Sequence, residues 1–92
     1  MTLNKTQVAM KTFTDAAGRT WEAFVREESG TDYKGRFNMV LRPEDGAGEE
    51  YSLEDVRWNT ERTARRSLET MSGFELRRRL RSAVGRSMLV SD

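Results

Sequence analysis

Arginine is the residue type whose number and spacing best suit this chain for binding chemistry. The sequence contains thirteen arginines and three lysines, and the planar guanidinium group matches both carboxylate and phosphate oxygens. Six arginines in the last third of the chain are the candidates for contact with an anionic partner: Arg62, Arg65, Arg66, Arg77, Arg78 and Arg81. The residue types therefore favour binding of anionic groups, provided that the fold leaves these side chains accessible.

The residue types needed for most catalytic and metal centres are missing. The chain has no cysteine and no histidine, which excludes thiolate catalysis, disulfide bonds, the usual zinc sites and a histidine general base. The carboxylates beside Gly46-Ala47-Gly48 lack the alternating spacing of a calcium-binding loop. That turn also lacks the Lys-Ser/Thr pair of a phosphate-binding loop. We predict that the chain is not an enzyme and uses no cofactor, metal or small-molecule substrate.

The charges are divided unequally along the chain, although the net charge is only +1. Residues 1–56 carry seven Lys and Arg against eleven Asp and Glu, whereas residues 57–92 carry nine Arg against four Asp and Glu. Complementary charge of this kind orients an association and makes it specific. We predict a small protein-interaction or self-assembly module, with a protein partner or a homo-oligomer, in which an acidic half meets an Arg-rich half.

Two other interpretations of the arginines remain open. The stripe formed by Arg77, Arg78 and Arg81 is also what the solvated outer face of an ordinary packing helix would carry. Alternatively the same arginines contact phosphates, which would make the chain a nucleic-acid-binding regulatory protein. Reading of base edges has the weakest support, because the stripe offers Arg with little Asn or Gln beside it.

Hydrophobic periodicity predicts the elements that must position these arginines. Alternating apolar residues, interrupted by turns rich in Gly, Asp and Pro, predict strands between about residues 8 and 56. The predicted strands are Val8–Thr14, Arg19–Glu27, Arg36–Arg42 and Glu50–Val56. Phe24 departs from the alternation of its strand, and we therefore expect the second face of the sheet to be partly covered.

After residue 59 the apolar period changes from strand-like to helical. We predict helices at about 60–71 and 73–85, with Asn59 or Thr60 capping the first. Ser72-Gly73-Phe74-Glu75 matches the capping box S-x-x-E at the start of the second. We expect flexible ends at 1–6 and 87–92, the latter a frayed tail or a short added strand.

Strands first and helices second predict an α+β fold in a single domain, 1–92. We expect a four-stranded antiparallel meander followed by two C-terminal helices that pack on one face of the sheet. The first residues lack the apolar run of a secretory signal, and the chain has no stretch long and apolar enough to cross a membrane. We therefore expect a soluble, cytoplasmic domain without membrane contact.

Overall fold

In a computed structural model, which describes residues 7–27 and 36–90, the chain forms one antiparallel sheet and two helices. The strands are β1 (Gln7–Thr14), β2 (Thr20–Glu27), β3 (Phe37–Pro43) and β4 (Tyr51–Trp58), and the helices are α1 (Glu61–Thr70) and α2 (Gly73–Val90). The strand order in the sheet is β1-β2-β3-β4, and both helices pack against it. The predicted α+β fold, an antiparallel sheet followed by two helices, is confirmed.

The face of the sheet beneath the helices carries the alternating apolar residues. Ala23 on β2 lies opposite Leu41 on β3, and Val25 lies opposite Met39, with all four side chains buried. The helices complete this core mainly with side chains spaced three or four residues apart: Ala64, Leu68, Met71, Leu76, Leu80 and Ala83. One layer of helix on one layer of sheet is thus held together by burial of apolar surface.

Phe24 points to the opposite face of the sheet, where it is nevertheless only 2% exposed. The guanidinium groups of Arg42 and Arg26 lie 4.5 and 5.4 Å from the centre of its ring. Glu22 pairs with Arg42 at 2.8 Å, and Glu50 pairs with Arg26 at 2.7 Å. Two arginines, one held by a carboxylate of a neighbouring strand and the other by a carboxylate of the β3–β4 turn, therefore help cover the ring that broke the alternation.

Two similar turns shape one end of the sheet. In the β1–β2 turn, Asp15 accepts hydrogen bonds from the backbone N–H groups of Ala17 and Arg19, at 3.0 and 2.9 Å. In the β3–β4 turn, Asp45 accepts one from the backbone N–H of Ala47 at 3.0 Å. Such Asp side chains mimic a backbone turn. Arg19 joins the two turns, because its guanidinium donates to the carbonyl of Ala47 and lies 3.6 Å from the Asp45 carboxylate.

Each helix begins at a capping side chain. Thr60 caps α1, since its hydroxyl accepts a hydrogen bond from the backbone N–H of Thr63 at 3.2 Å. The hydroxyl of Ser72 accepts one from the backbone N–H of Glu75 at 3.1 Å, which satisfies half of the predicted capping box. The Glu75 carboxylate pairs instead with Arg79, one turn further along, at 2.8 Å.

Lys11 connects the edge strand β1 to the end of α1. It lies opposite Ala23, on the helix-covered face of the sheet. Its ammonium group donates to the carbonyl of Met71 at 2.6 Å and to that of Glu69 at 3.1 Å. The last carbonyls of a helix have no partner within the helix and carry partial negative charge. Lys11 therefore caps α1 from outside the helix.

Some predicted boundaries differ from those observed. The predicted helix 73–85 is too short, because α2 continues to Val90. Residues 87–90 are thus helical, and neither a frayed tail nor an added strand is correct for them. Strand β4 continues past Val56 to Trp58, where the indole donates to the hydroxyl of Ser67 on α1 at 3.0 Å. The expected flexibility of residues 1–6, 91 and 92 falls outside the described residues.

Candidate functional site

The structure divides the six candidate arginines between two helices. Arg62, Arg65 and Arg66 lie exposed on α1, where they line a shallow depression together with Glu61 and Glu69. Arg65 pairs with Glu61, one helical turn earlier, at 2.8 Å. The α1 surface therefore mixes both signs of charge.

On α2 the arginines have different environments. Arg77 is half-buried, and its guanidinium donates to the carbonyl of Thr14 at the end of β1, at 3.4 Å. Arg79 is held by Glu75. Arg78 and Arg81 are exposed, and neither makes an ion pair or a side-chain hydrogen bond with another described residue. Among the α2 arginines whose side chains the structure describes, these two carry a charge that is free to meet a partner.

Phe74 lies beside these two arginines and is 66% exposed. Its spacing from Arg78 and Arg81 is i, i+4 and i+7, which puts all three on one face of the helix. We call Phe74, Arg78 and Arg81 the α2 outer face. Phe74 is not among the site residues predicted from the sequence. The helical period nevertheless indicates that Phe74 is exposed, because it places this residue outside the buried stripe of Leu76, Leu80 and Ala83.

The acidic turn, which we define as residues 44–50, lies between β3 and β4 and is exposed throughout. Asp45 and Glu50 are paired with Arg19 and Arg26. The pKa of Asp45 is lowered, chiefly because the backbone N–H of Ala47 donates to its carboxylate. Glu44 and Glu49 form no ion pair with a described residue. Within the described residues no three acidic side chains gather as a metal site would require.

The six arginines do not form a single described site. No pocket or contact described for the chain joins the α1 set to the α2 set. Arg78, Arg81 and the exposed ring of Phe74 lie together on one face of α2. Glu44 and Glu49, which have no cationic partner in the described part of the chain, lie on another part of the surface. The chemistry available from these groups is ion pairing and burial of an aromatic ring.

No protein-family model, no curated protein and no solved structure matches this chain. Neither helix in the described residues has the length and apolar composition of a membrane span.

Proposed function

We propose that the chain is a non-catalytic protein-interaction module that docks through the α2 outer face onto an acidic surface. The observation that carries the proposal is the 66% exposed ring of Phe74 beside two arginines that make no ion pair with a described residue. Aromatic and arginine side chains are enriched in protein interfaces and in the residues that dominate their energetics. The cytoplasmic location expected from the sequence stays a prediction.

A second copy of the chain offers a partner surface of the required chemistry. The acidic turn presents Glu44 and Glu49, both exposed and without a cationic partner among the described side chains. Nothing lies within 4 Å of the position that a Cβ would take at Gly46, so an aromatic ring has room to pack there, whereas the guanidinium of Arg19 lies against Gly48. We therefore propose head-to-tail self-association, in which the α2 outer face of one copy contacts the acidic turn of the next.

Sedimentation velocity over a wide range of protein concentrations tests this proposal. We expect wild-type chain to associate as its concentration rises, and added salt to weaken the association by screening exposed charges. The double variant Arg78→Glu/Arg81→Glu should sediment as a monomer. The matched control, Arg62→Glu/Arg66→Glu, makes the same change of charge on α1 and should associate like the wild-type chain.

A charge exchange distinguishes specific pairing from general loss of positive charge. The variant Glu44→Arg/Glu49→Arg should also be monomeric, since both of its surfaces are then basic. Mixing it with Arg78→Glu/Arg81→Glu pairs opposite surfaces again and should restore association. A wild-type chain that stays monomeric up to about 1 mM, a concentration at which an association of about 4 kcal/mol is detectable, contradicts self-association.

Binding to nucleic acid is the competing outcome. Phosphate contacts through Arg78 and Arg81 would retard random duplex DNA in a gel, with log K falling by about 0.9 per contact per tenfold increase in salt. Retardation of duplex DNA by wild-type chain, lost in Arg78→Glu/Arg81→Glu, would replace the protein-interaction proposal with a nucleic-acid one. Under the present proposal, no retardation is expected at moderate salt.

A further inference from the structure

A pocket of about 300 Å³ lies between the β1–β2 turn and α2. Most of its walls are apolar, and they are formed by Ala16, Ala17, Trp21, Leu80 and Val84. Ligand sites of proteins begin at about this size. The pocket is therefore large enough for one bulky apolar side chain, and too small for an extended ligand.

The rim of the pocket is positively charged. Arg77 and Arg81, one turn apart on α2, both line it. Arg81 has no anionic partner among the described side chains, and Arg77 uses one N–H group on the carbonyl of Thr14. Most of the guanidinium donors thus remain available for a ligand. Because a guanidinium fork binds a carboxylate with two parallel hydrogen bonds, this rim suits a carboxylate held just outside the apolar walls.

The one carboxylate that lines the pocket, Asp15, is already engaged. It accepts the indole N–H of Trp21 at 2.8 Å and the backbone N–H groups of Ala17 and Arg19. It therefore serves the turn and fixes the indole that forms one wall. A wall fixed in this way lowers the cost of ordering the site when a ligand binds.

We infer that this pocket binds a peptide segment of a partner protein in which an apolar side chain is flanked by carboxylates. The apolar side chain enters between Trp21, Leu80 and Val84, and the carboxylates contact Arg77 and Arg81. The acidic turn of a second copy cannot fill this role, because its largest apolar residue between Glu44 and Glu50 is Ala47. We assign the occupant to a different chain, and the inference does not depend on self-association.

Short blocked peptides provide the direct test. The probe is an acetylated and amidated peptide containing Glu-Leu-Glu, with Glu-Gly-Glu and Lys-Leu-Lys peptides as comparisons. Binding is followed by the fluorescence of Trp21 in a Trp58→Phe background, and by the NMR signal of the Trp21 indole N–H in the wild-type chain. We expect Glu-Leu-Glu to bind at least about ten times more tightly than Glu-Gly-Glu, since a buried leucine side chain supplies that factor. The Lys-Leu-Lys peptide should not bind.

Variants of the chain locate the binding. Ala17→Phe adds a phenyl ring at the pocket wall and should weaken Glu-Leu-Glu binding at least about ten-fold. Thr12→Phe, which adds the same ring at an exposed position of β1 outside the pocket, should bind like the wild-type chain. Arg81→Ala keeps the pocket open, removes one charge and should weaken binding about three-fold or more.

Three results would overturn the inference. The first is that Glu-Leu-Glu does not bind at concentrations up to about 10 mM, far beyond the affinity of a useful peptide site. The second is that Ala17→Phe and Thr12→Phe bind the peptide equally well. The third is that N-acetyl-leucine binds as tightly as the peptide, which would assign the pocket to a small molecule. Sedimentation of Ala17→Phe separates the two proposals. This variant should lose the peptide while self-associating like the wild-type chain.

Discussion

Asp15 links the backbone of the β1–β2 turn to the Trp21 wall of the pocket. Its carboxylate accepts hydrogen bonds from two backbone N–H groups of its own turn and from the indole of Trp21. The pKa of Asp15 is held below 3.8, first by the backbone N–H of Arg19 and then by the Trp21 indole. The turn was predictable from Asp15-Ala16-Ala17-Gly18, because glycine readily adopts a positive φ. The observed φ of Gly18 is 89°. The indole bond was not predictable, since it depends on the twist that brings Trp21 back over the turn.

The lowered pKa of Asp15 predicts a dependence of stability on pH. The unfolded chain takes up a proton near pH 3.8 more readily than the folded chain, so the stabilisation is complete above that pH and is lost as pH falls through the lower, folded-state pKa. Asp15→Asn should therefore be less stable than wild type at about pH 6, and the difference should shrink at about pH 3. Urea unfolding at both pH values measures it.

Glu44→Gln is the matched control for Asp15. It also removes one exposed carboxylate charge, at a residue that makes no ion pair with a described residue. Its free energy of unfolding should stay close to wild type at both pH values. A difference between wild type and Asp15→Asn that is the same at both pH values would show that the Asp15 charge does not stabilise the fold.

At the scale of elements, the last backbone carbonyls of α1 receive their hydrogen bonds from a side chain of β1. The last turn of α1 contains no basic residue, and Lys11 supplies the missing positive charge from the neighbouring strand. The sequence shows Lys11 on the core face of a predicted strand, where a lysine is unexpected. The role of Lys11 becomes clear only when α1 is packed on the sheet, because the carbonyls that accept its hydrogen bonds belong to residues far along the chain.

Replacement of Lys11 should loosen α1. Lys11→Met retains most of the aliphatic stem and removes the donors, and we expect it to lower the free energy of unfolding by about 1–2 kcal/mol. Lys11→Arg retains positive charge and should lose less. Chemical denaturation monitored by circular dichroism measures both variants. Equal stability of Lys11→Met and wild type would mean that water serves the α1 carbonyls equally well.

At the scale of the whole molecule, the sequence was sufficient for features that depend on local pattern. The alternation of Trp21, Ala23 and Val25 indicates the face of β2 that packs under the helices, and the short turns indicate a meander. The cover over Phe24 was expected only in general terms, because it depends on Arg42 and Arg26 meeting across strands. The distribution of the candidate arginines was likewise beyond prediction, since it depends on how the two helices lie on the sheet.

The order of the strands has a consequence for the rates of folding and unfolding. Neighbouring strands of the meander follow one another along the chain, and the β1–β2 and β3–β4 connections are short, so the hairpins require little loop closure. The bonds of Lys11 to the carbonyls of Glu69 and Met71, by contrast, span 58 and 60 residues. If the hairpins form before α1 docks, Lys11→Met should mainly accelerate unfolding and change the folding rate little, so that its chevron plot differs from wild type in the unfolding arm.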